Sequence, residues 1–122
     1  MELTKFIVDG ATVVGVRGNL TGGLAQSQAF HDFFRALIDD GETDLIVNLG
    51  ETSWANSSGI GMLIGAWTSA RNAGGSLILT YVTGRILNVL KVTRLDLLFK
   101  VFETDEAAAK YLRERSGELV VA

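Results

Sequence analysis

The sequence predicts an α/β fold, in which a small mixed β-sheet begins with an N-terminal hairpin and continues with alternating helices and strands, its helices packed mainly on one side. Asp9-Gly10 separates two short apolar runs, and this pair is a strong hairpin signal because both turn positions favour a positive φ. Further along, apolar residues recur with the helical period, and between these segments lie continuous apolar runs typical of buried strands. Such alternation implies a largely parallel sheet with helices packed against it.

The hairpin strands are predicted near residues 3–8 and 11–17, followed by a loop over 18–23. Gly15 is unusual inside a strand and indicates a bulge or a close contact. A helix is predicted over residues 24–39, because its apolar side chains recur at i, i+3, i+4, i+7 and i+8. These are Phe30, Phe33, Phe34, Leu37 and Ile38, and Gly41 is a natural C-terminal stop.

The rest of the chain continues the alternation. In order, the predicted elements are a buried strand around 45–49, a loop over 50–56, a helix through Ile60 to Gly74-Gly75, a strand over 77–82, a short helix after Thr83-Gly84, a strand over 99–102, and a helix capped by Thr104 that ends at Gly117. We therefore expect one domain over residues 1–117, with 118–122 as a short C-terminal tail.

Composition excludes several classes of function. The chain has 122 residues, 14 glycines, one histidine, and neither cysteine nor proline. Without cysteine there is no disulfide framework, thiolate metal site or cysteine nucleophile, and one histidine leaves no pair for a metal. We accordingly predict no metal and no cofactor. The net charge of −3 argues against general binding to nucleic acid.

No targeting or membrane segment is predicted. The N-terminal residues lack the basic start and apolar run of a signal peptide. The uncharged stretch over residues 52–70 is too polar for a membrane span, which needs about 20 predominantly apolar residues. The expectation is a soluble cytoplasmic protein without membrane insertion.

The most informative segment runs from Val47 to Ile64, where a buried strand, a polar loop and a helix starting at Asn56-Ser57-Ser58-Gly59 follow one another. Asn and Ser favour helix starts because their oxygens accept from unpaired backbone N–H groups, and the helix dipole would tolerate a phosphate there. A plain capping sequence explains the same residues equally well. A nucleotide-binding loop is disfavoured, because Ile64 occupies the third glycine position of the dinucleotide fingerprint and no P-loop motif occurs.

Two segments carry no Asp, Glu, Lys or Arg: the residues between Arg17 and Asp32, and those between Glu51 and Arg71. Both contain loops that follow predicted strands, and such loops gather at one end of an α/β sheet. They could therefore form one uncharged surface, although simple burial of both segments is an equal alternative. This predicted surface carries Asn19, Thr21, Trp54, Asn56, Ser57 and Ser58.

The chain resembles the STAS domain of bacterial anti-sigma factor antagonists. The residues that carry the resemblance are Val16-Arg17-Gly18-Asn19-Leu20, the strand over 44–49, Asn56-Ser57-Ser58-Gly59-Ile60-Gly61, Ile86-Leu87-Asn88-Val89-Leu90, Leu95-Asp96-Leu97-Leu98-Phe99, and Val101-Phe102-Glu103-Thr104. Three positions that are commonly acidic in the family are neutral here, namely Thr21, Asn48 and Asn56.

The resemblance implies a non-enzymatic protein that binds an anti-sigma factor, itself a serine kinase, and is switched by phosphorylation. The modified residue would be Ser57, with a serine phosphatase restoring the unmodified form. A phosphate adds about −1.5 to −2 charge at pH 7, which is costly to bury against a partner. We assign partner binding to Asn19, Thr21, Trp54, Asn56, Ser58, Gly59 and Arg85.

Two alternatives remain at this point. One is a STAS scaffold, or an accessory subunit of a signalling or lipid-transport complex, in which Ser57 caps the helix and is never modified. The other is a small enzyme or ligand binder, which Glu51 alone supports weakly. His31 is predicted to be a surface residue, whereas Trp67 lies on an apolar stripe and is predicted to be in the core.

Overall fold

The computed structural model describes the backbone of residues 1–121 and the side chains of residues 1–115, and it contains the predicted mixed sheet. Five strands lie side by side in chain order: β1 (Glu2–Val8), β2 (Ala11–Arg17), β3 (Asp44–Glu51), β4 (Ser76–Thr80) and β5 (Lys100–Phe102). β1 pairs with β2 in antiparallel orientation through the turn at Asp9-Gly10, and all other pairs are parallel. The predicted hairpin and the largely parallel sheet are both confirmed.

The helices are α1 (Leu24–Asp39), α2 (Ser57–Asn72), α3 (Gly84–Val92) and α4 (Asp105–Val121). The first three each connect two neighbouring parallel strands. Since the strand order always advances in the same direction, right-handed connections place all three on one face of the sheet. There they bury the larger core, with Phe34 from α1, Leu63 from α2 and Leu90 from α3. The predicted packing of helices mainly on one side is therefore confirmed.

α4 is the exception and packs on the opposite face. Its Ala108, Ala109 and Leu112 form a smaller core with strand residues that point away from α1 to α3, namely Val13, Ile46 and Ile78. Two successive small residues in α4 allow the helix to approach the sheet closely. This second layer explains why β2, β3 and β4 read as continuous apolar runs, because both of their faces are covered.

Several predicted boundaries need correction. α4 does not end at Gly117 but continues to Val121, since a glycine inside a helix costs only about 1 kcal/mol relative to alanine. Residues 118–121 are thus helical, and Ala122 lies outside the described residues. β4 ends at Thr80 because the next residue, Tyr81, has a positive φ of 51°. A short 3₁₀ turn over Leu95–Leu97 was not predicted.

The structure shows both features predicted for Gly15, an irregularity in the strand and a close contact with the neighbouring strand. The register between β2 and β3 shifts between Gly15 and Arg17, so the strand is irregular there. A Cβ at this position would lie 3.0 Å from Thr4 Oγ1 and 3.2 Å from a ring carbon of Phe6 on the neighbouring strand. The shifted pairing allows β3 to continue to Glu51, two residues beyond the predicted strand.

Candidate functional site

The loops that follow β2 and β3 lie against each other at the carboxyl ends of these strands. We call residues 18–23 the first loop and residues 52–56 the second loop. Gly18 N donates to Glu51 O at the end of β3 at 3.0 Å, and two backbone bonds then join the loops themselves, from Leu20 N to Trp54 O at 3.2 Å and from Asn56 N to Leu20 O at 3.1 Å. The two charge-free segments predicted to meet therefore do so, and the ladder of the sheet is extended across both loops.

α2 begins directly after the second loop, and Asn56 is its N-cap. The Asn56 Oδ1 accepts a hydrogen bond from Gly59 N at 2.8 Å, which satisfies one of the unpaired donors of the first turn. The Asn56 Nδ2 donates to Thr21 O in the first loop, also at 2.8 Å. One amide side chain thus starts the helix and fastens the first loop to it. Ser57 and Ser58 follow in the first turn, and both are exposed.

Gly59 lies beneath the first loop and is buried. A Cβ at this position would lie 2.0 Å from Leu20 O and 2.5 Å from Leu20 C, far inside van der Waals contact. Gly59 therefore shapes the predicted surface by letting the first loop approach α2, and its own atoms are covered. Partner binding was assigned to Gly59 from the sequence, and the structure places this residue below the first loop.

The side chain of Asn19 is also directed inward. Its Oδ1 accepts from Ser53 N at 3.2 Å and from Trp54 N at 3.3 Å, so it orders the second loop from the first. Trp54 is half-buried. The sequence placed Asn19 on the predicted surface, and the structure shows it as a cross-link between the two loops.

Gln26, on the first turns of α1, is a site residue that the sequence reasoning missed. Its Oε1 accepts from Thr21 N at 2.8 Å and from Gly22 N at 2.9 Å, and its Nε2 donates to Asn19 O at 3.2 Å. In the sequence, Gln26 is only a polar residue a few positions after a glycine-rich loop. This pattern does not distinguish a side chain that binds the loop backbone from one that faces solvent.

The loop after β4 reaches the same region. Thr83, just before α3, donates from its Oγ1 to Ser53 O at 3.2 Å. Arg85 follows two residues later and is exposed on the first turn of α3. The structure thus brings α3 up to the second loop, and Arg85 and Ser57 form no hydrogen bond among the described residues.

The resulting surface is uncharged and partly exposed. Its exposed members are Thr21, Ser53, Asn56, Ser57 and Ser58, while Leu20, Thr52 and Ala55 are buried below them. Thr52 Oγ1 donates to Val16 O at 3.0 Å, so the one fully buried hydroxyl of the second loop is satisfied. Simple burial of both charge-free segments is therefore not what the structure shows.

A groove of about 290 Å³ between α1 and α2 adjoins this surface at Ser58. Its floor includes Phe30, Phe34 and Met62, and it is widened where Gly61 and Gly65 present no side chain. His31 lies on its rim and is exposed, as the sequence predicted. Trp67, further along α2, is half-buried against the larger core, with the guanidinium of Arg71 5.1 Å from its ring centre.

Asn48 lies on the other face of the sheet, away from the loops. Its Nδ2 donates to Asp105 Oδ2 at 2.9 Å, and its Oδ1 accepts from Gly50 N at 2.8 Å. Asp105 is buried at the start of α4 and also accepts from Thr80 Oγ1. Asn48 therefore anchors α4 to β3. A carboxylate in its place would face the Asp105 carboxylate without a donor.

Over residues 1–115, where side chains are described, no group of His, Asp or Glu is arranged to hold a metal ion. In the part of the chain covered by the structure, none of the helices is both long and apolar enough to cross a bilayer.

The fold and the loop surface define a small α/β domain with a five-stranded mixed sheet and an exposed, neutral helix start. The family model of the STAS domain matches residues 3–108, and the chain belongs to this family. The family predicted from the sequence motifs is thereby confirmed.

Solved structures share the fold. An anti-sigma factor antagonist from Mycobacterium paratuberculosis superposes with a TM-score of 0.76 at 20% identity, covering 92% of this chain and 93% of that one. The Bacillus cell fate determinant SpoIIAA in its phosphorylated form gives 0.68 at 19% identity, covering 91% and 99%. The murine solute carrier 26 family member A9 anion transporter gives 0.68 at 17% identity, covering 88% of this chain but 18% of the transporter.

Proposed function

We propose that this chain is an anti-sigma factor antagonist. In this proposal it binds an anti-sigma factor with serine kinase activity through the surface formed by the first and second loops, the start of α2 and the nearby start of α3. Phosphorylation of Ser57 would break the complex and a serine phosphatase would restore it. The chain would act as a binding protein and not as an enzyme. The observation that carries the proposal is the position of Ser57, which is exposed in the first turn of α2 within an uncharged surface.

A phosphate at this position would change binding more than folding. The Ser57 side chain points from the first helical turn, where the helix dipole favours negative charge. The dianion would, however, have to be desolvated against the partner, and the two loops and the start of α2 supply no cationic side chain over residues 18–30 and 52–70. Arg85, the exposed cation at the start of α3, forms no hydrogen bond with Ser57 in the described part of the chain. The solved structures of SpoIIAA in unphosphorylated and phosphorylated forms have TM-scores of 0.69 and 0.68 to this chain, which supports a switch that leaves the fold intact.

The neutral residues at two commonly acidic positions are compatible with this role. Asn56 needs its amide N–H group to reach Thr21 O, which an aspartate could not do. Thr21 contributes its backbone N–H and carbonyl to the network, so its side chain is free to face a partner. The surface thus retains its geometry without the acidic residues common in the family.

The experiment is a binding series against purified anti-sigma factors from the source organism. We expect Ser57→Ala to bind like the wild type and Ser57→Asp to bind at least tenfold more weakly, with unchanged circular dichroism. Thr68→Asp is the matched control, because it adds the same charge to an exposed position of α2 beyond the surface. Incubation with the kinase partner and ATP should add one phosphoryl group to the wild type and none to Ser57→Ala. Equal binding by wild type and Ser57→Asp would refute the switch.

A second function is favoured by one observation. The fold matches 18% of the chain of a murine anion transporter, so this fold can form part of a larger protein. In that case the chain is a scaffold or an accessory subunit, and Ser57 remains unmodified. Co-purification with a transport ATPase or signalling complex, together with an unphosphorylated Ser57 in cells, would favour this alternative.

A further inference from the structure

The first loop depends on Gln26 for its conformation. Thr21 N and Gly22 N point toward α1, and the Gln26 Oε1 accepts from both of them. The N-cap of α1, Gly23, has no side chain that could cap the helix. Gln26, in the first turn of the helix, instead reaches back to the backbone N–H groups of the two residues that precede the N-cap.

The position of this loop matters because it lies directly on α2. Gly22 has a φ of 76°, and a Cβ there would lie 2.4 Å from Ser58 Cβ. Thr21 O accepts from the N-cap amide of Asn56, the residue before Ser57. Any movement of Thr21 and Gly22 away from Gln26 would therefore open the surface beside Ser57 and Ser58.

Gln26 also suits an uncharged site. Its Nε2 donates to Asn19 O at 3.2 Å, while the Asn19 Oδ1 accepts from the second loop. A neutral amide can accept from two N–H groups and donate to a carbonyl at the same time. A glutamate at position 26 would keep the two acceptor contacts and lose the donor contact.

We propose that Gln26 is a positioning residue for the partner surface, holding Thr21 and Gly22 against the start of α2 so that both loops and the helix start meet the partner as one rigid surface. This inference rests on the proposed function, because it assumes that a partner binds there. Gln26 itself is half-buried and acts through the loop backbone.

The test compares Gln26→Ala, Gln26→Glu and Gln28→Ala. Gln28 is the matched control, because it is the same residue type on the same helix but is exposed and bonds to Asp32 at 2.8 Å. Amide hydrogen exchange of Thr21 and Gly22 is measured by NMR, and affinity is measured for the anti-sigma factor that binds the wild type. We expect Gln26→Ala to raise exchange at both amides and to weaken binding about tenfold, consistent with the loss of three neutral hydrogen bonds worth about 0.5 kcal/mol each.

Gln26→Glu should retain slow exchange at both amides, since its two acceptor contacts remain. Gln28→Ala should match the wild type in both measurements. Unchanged exchange or unchanged affinity in Gln26→Ala would overturn the inference. Equal affinities of the wild type and Ser57→Asp would refute the phosphorylation switch. If Gln26→Ala alone then loses affinity for the anti-sigma factor, the positioning role of Gln26 is still supported. If no anti-sigma factor binds the wild type, the proposed function fails and the inference fails with it.

Discussion

Replacement of Gly59 by alanine should be the most damaging single-methyl change in the candidate site. The added Cβ would lie 2.0 Å from Leu20 O, and this oxygen accepts the hydrogen bond from Asn56 N. Ordinary contact requires a separation of more than 3 Å, so the first loop or the first turn of α2 would have to move by about 1 Å or more. Both are backbone, so no flexible side chain can absorb the change.

The magnitude follows from three contributions. Overpacking of a tight contact costs about 1–3 kcal/mol. Weakening of the bonds from Asn56 N to Leu20 O and from Gly59 N to Asn56 Oδ1 costs about 1 kcal/mol each. The better helix propensity of alanine offsets about 0.5–1 kcal/mol of this loss. We expect Gly59→Ala to lower the free energy of unfolding by about 2–4 kcal/mol.

Urea unfolding followed by circular dichroism measures this difference. The matched control is Gly61→Ala, two residues further along α2, where a Cβ would meet no atom within 4 Å. Because the helix gains an alanine without a clash, we expect Gly61→Ala to be more stable than the wild type by about 0.5–1 kcal/mol. A Gly59→Ala protein within about 0.5 kcal/mol of the wild type would refute the close-approach argument.

Three further substitutions test other parts of the structure by urea unfolding. Asn48→Asp should lower stability at pH 7 by about 2 kcal/mol or more, because it removes the donor to the buried Asp105 and adds a like charge. Stability equal to that of the wild type would contradict this account. Bonds from Lys5 and Thr12 hold the pKa of Glu42 below its usual value of 4.5, so Glu42→Gln should be less stable than the wild type at pH 7. This difference should disappear as the pH falls well below 4.5, because the stabilisation requires the ionised carboxylate; a constant difference would argue against it. Gly75→Ala should unfold more easily than the wild type, since its Cβ would lie 1.9 Å from Thr43 O, and unchanged stability would contradict that contact.

Much of the fold could be predicted because the spacing of apolar and turn residues in each segment matches the helix or strand that the segment forms. The period of Phe30, Phe34 and Leu37 gave α1 its correct bounds, and Asp9-Gly10 placed the hairpin turn. Thr104 was predicted as an N-cap, and Ala107 N does donate to its Oγ1 at 3.1 Å. The end of α4 was predicted incorrectly because glycine is only a weak helix terminator when the residues after it can also be helical.

The candidate site was predictable only in part, because its order depends on contacts between distant residues. The sequence located the helix start at Asn56 and Ser57, since capping residues and the change of period are local signals. It could not assign partners to Asn19 or Gln26, whose acceptors and donors depend on how two loops meet. Gly59 was recognised as part of a motif, but the carbonyl of Leu20 that requires it became evident only in the structure.

The neutral residues at commonly acidic positions have a common physical explanation. Asn48 and Asn56 each use both ends of an amide, accepting from a backbone N–H and donating to an oxygen that a carboxylate would repel. Gln26 does the same in the first loop. Replacing acids by amides at positions 48 and 56 is therefore compatible with an intact fold, and the amide of Asn56 leaves the start of α2 beside Ser57 without a negative charge. Under the proposed function, such a surface would respond strongly to one added phosphate, because no existing negative charge there would already oppose the partner.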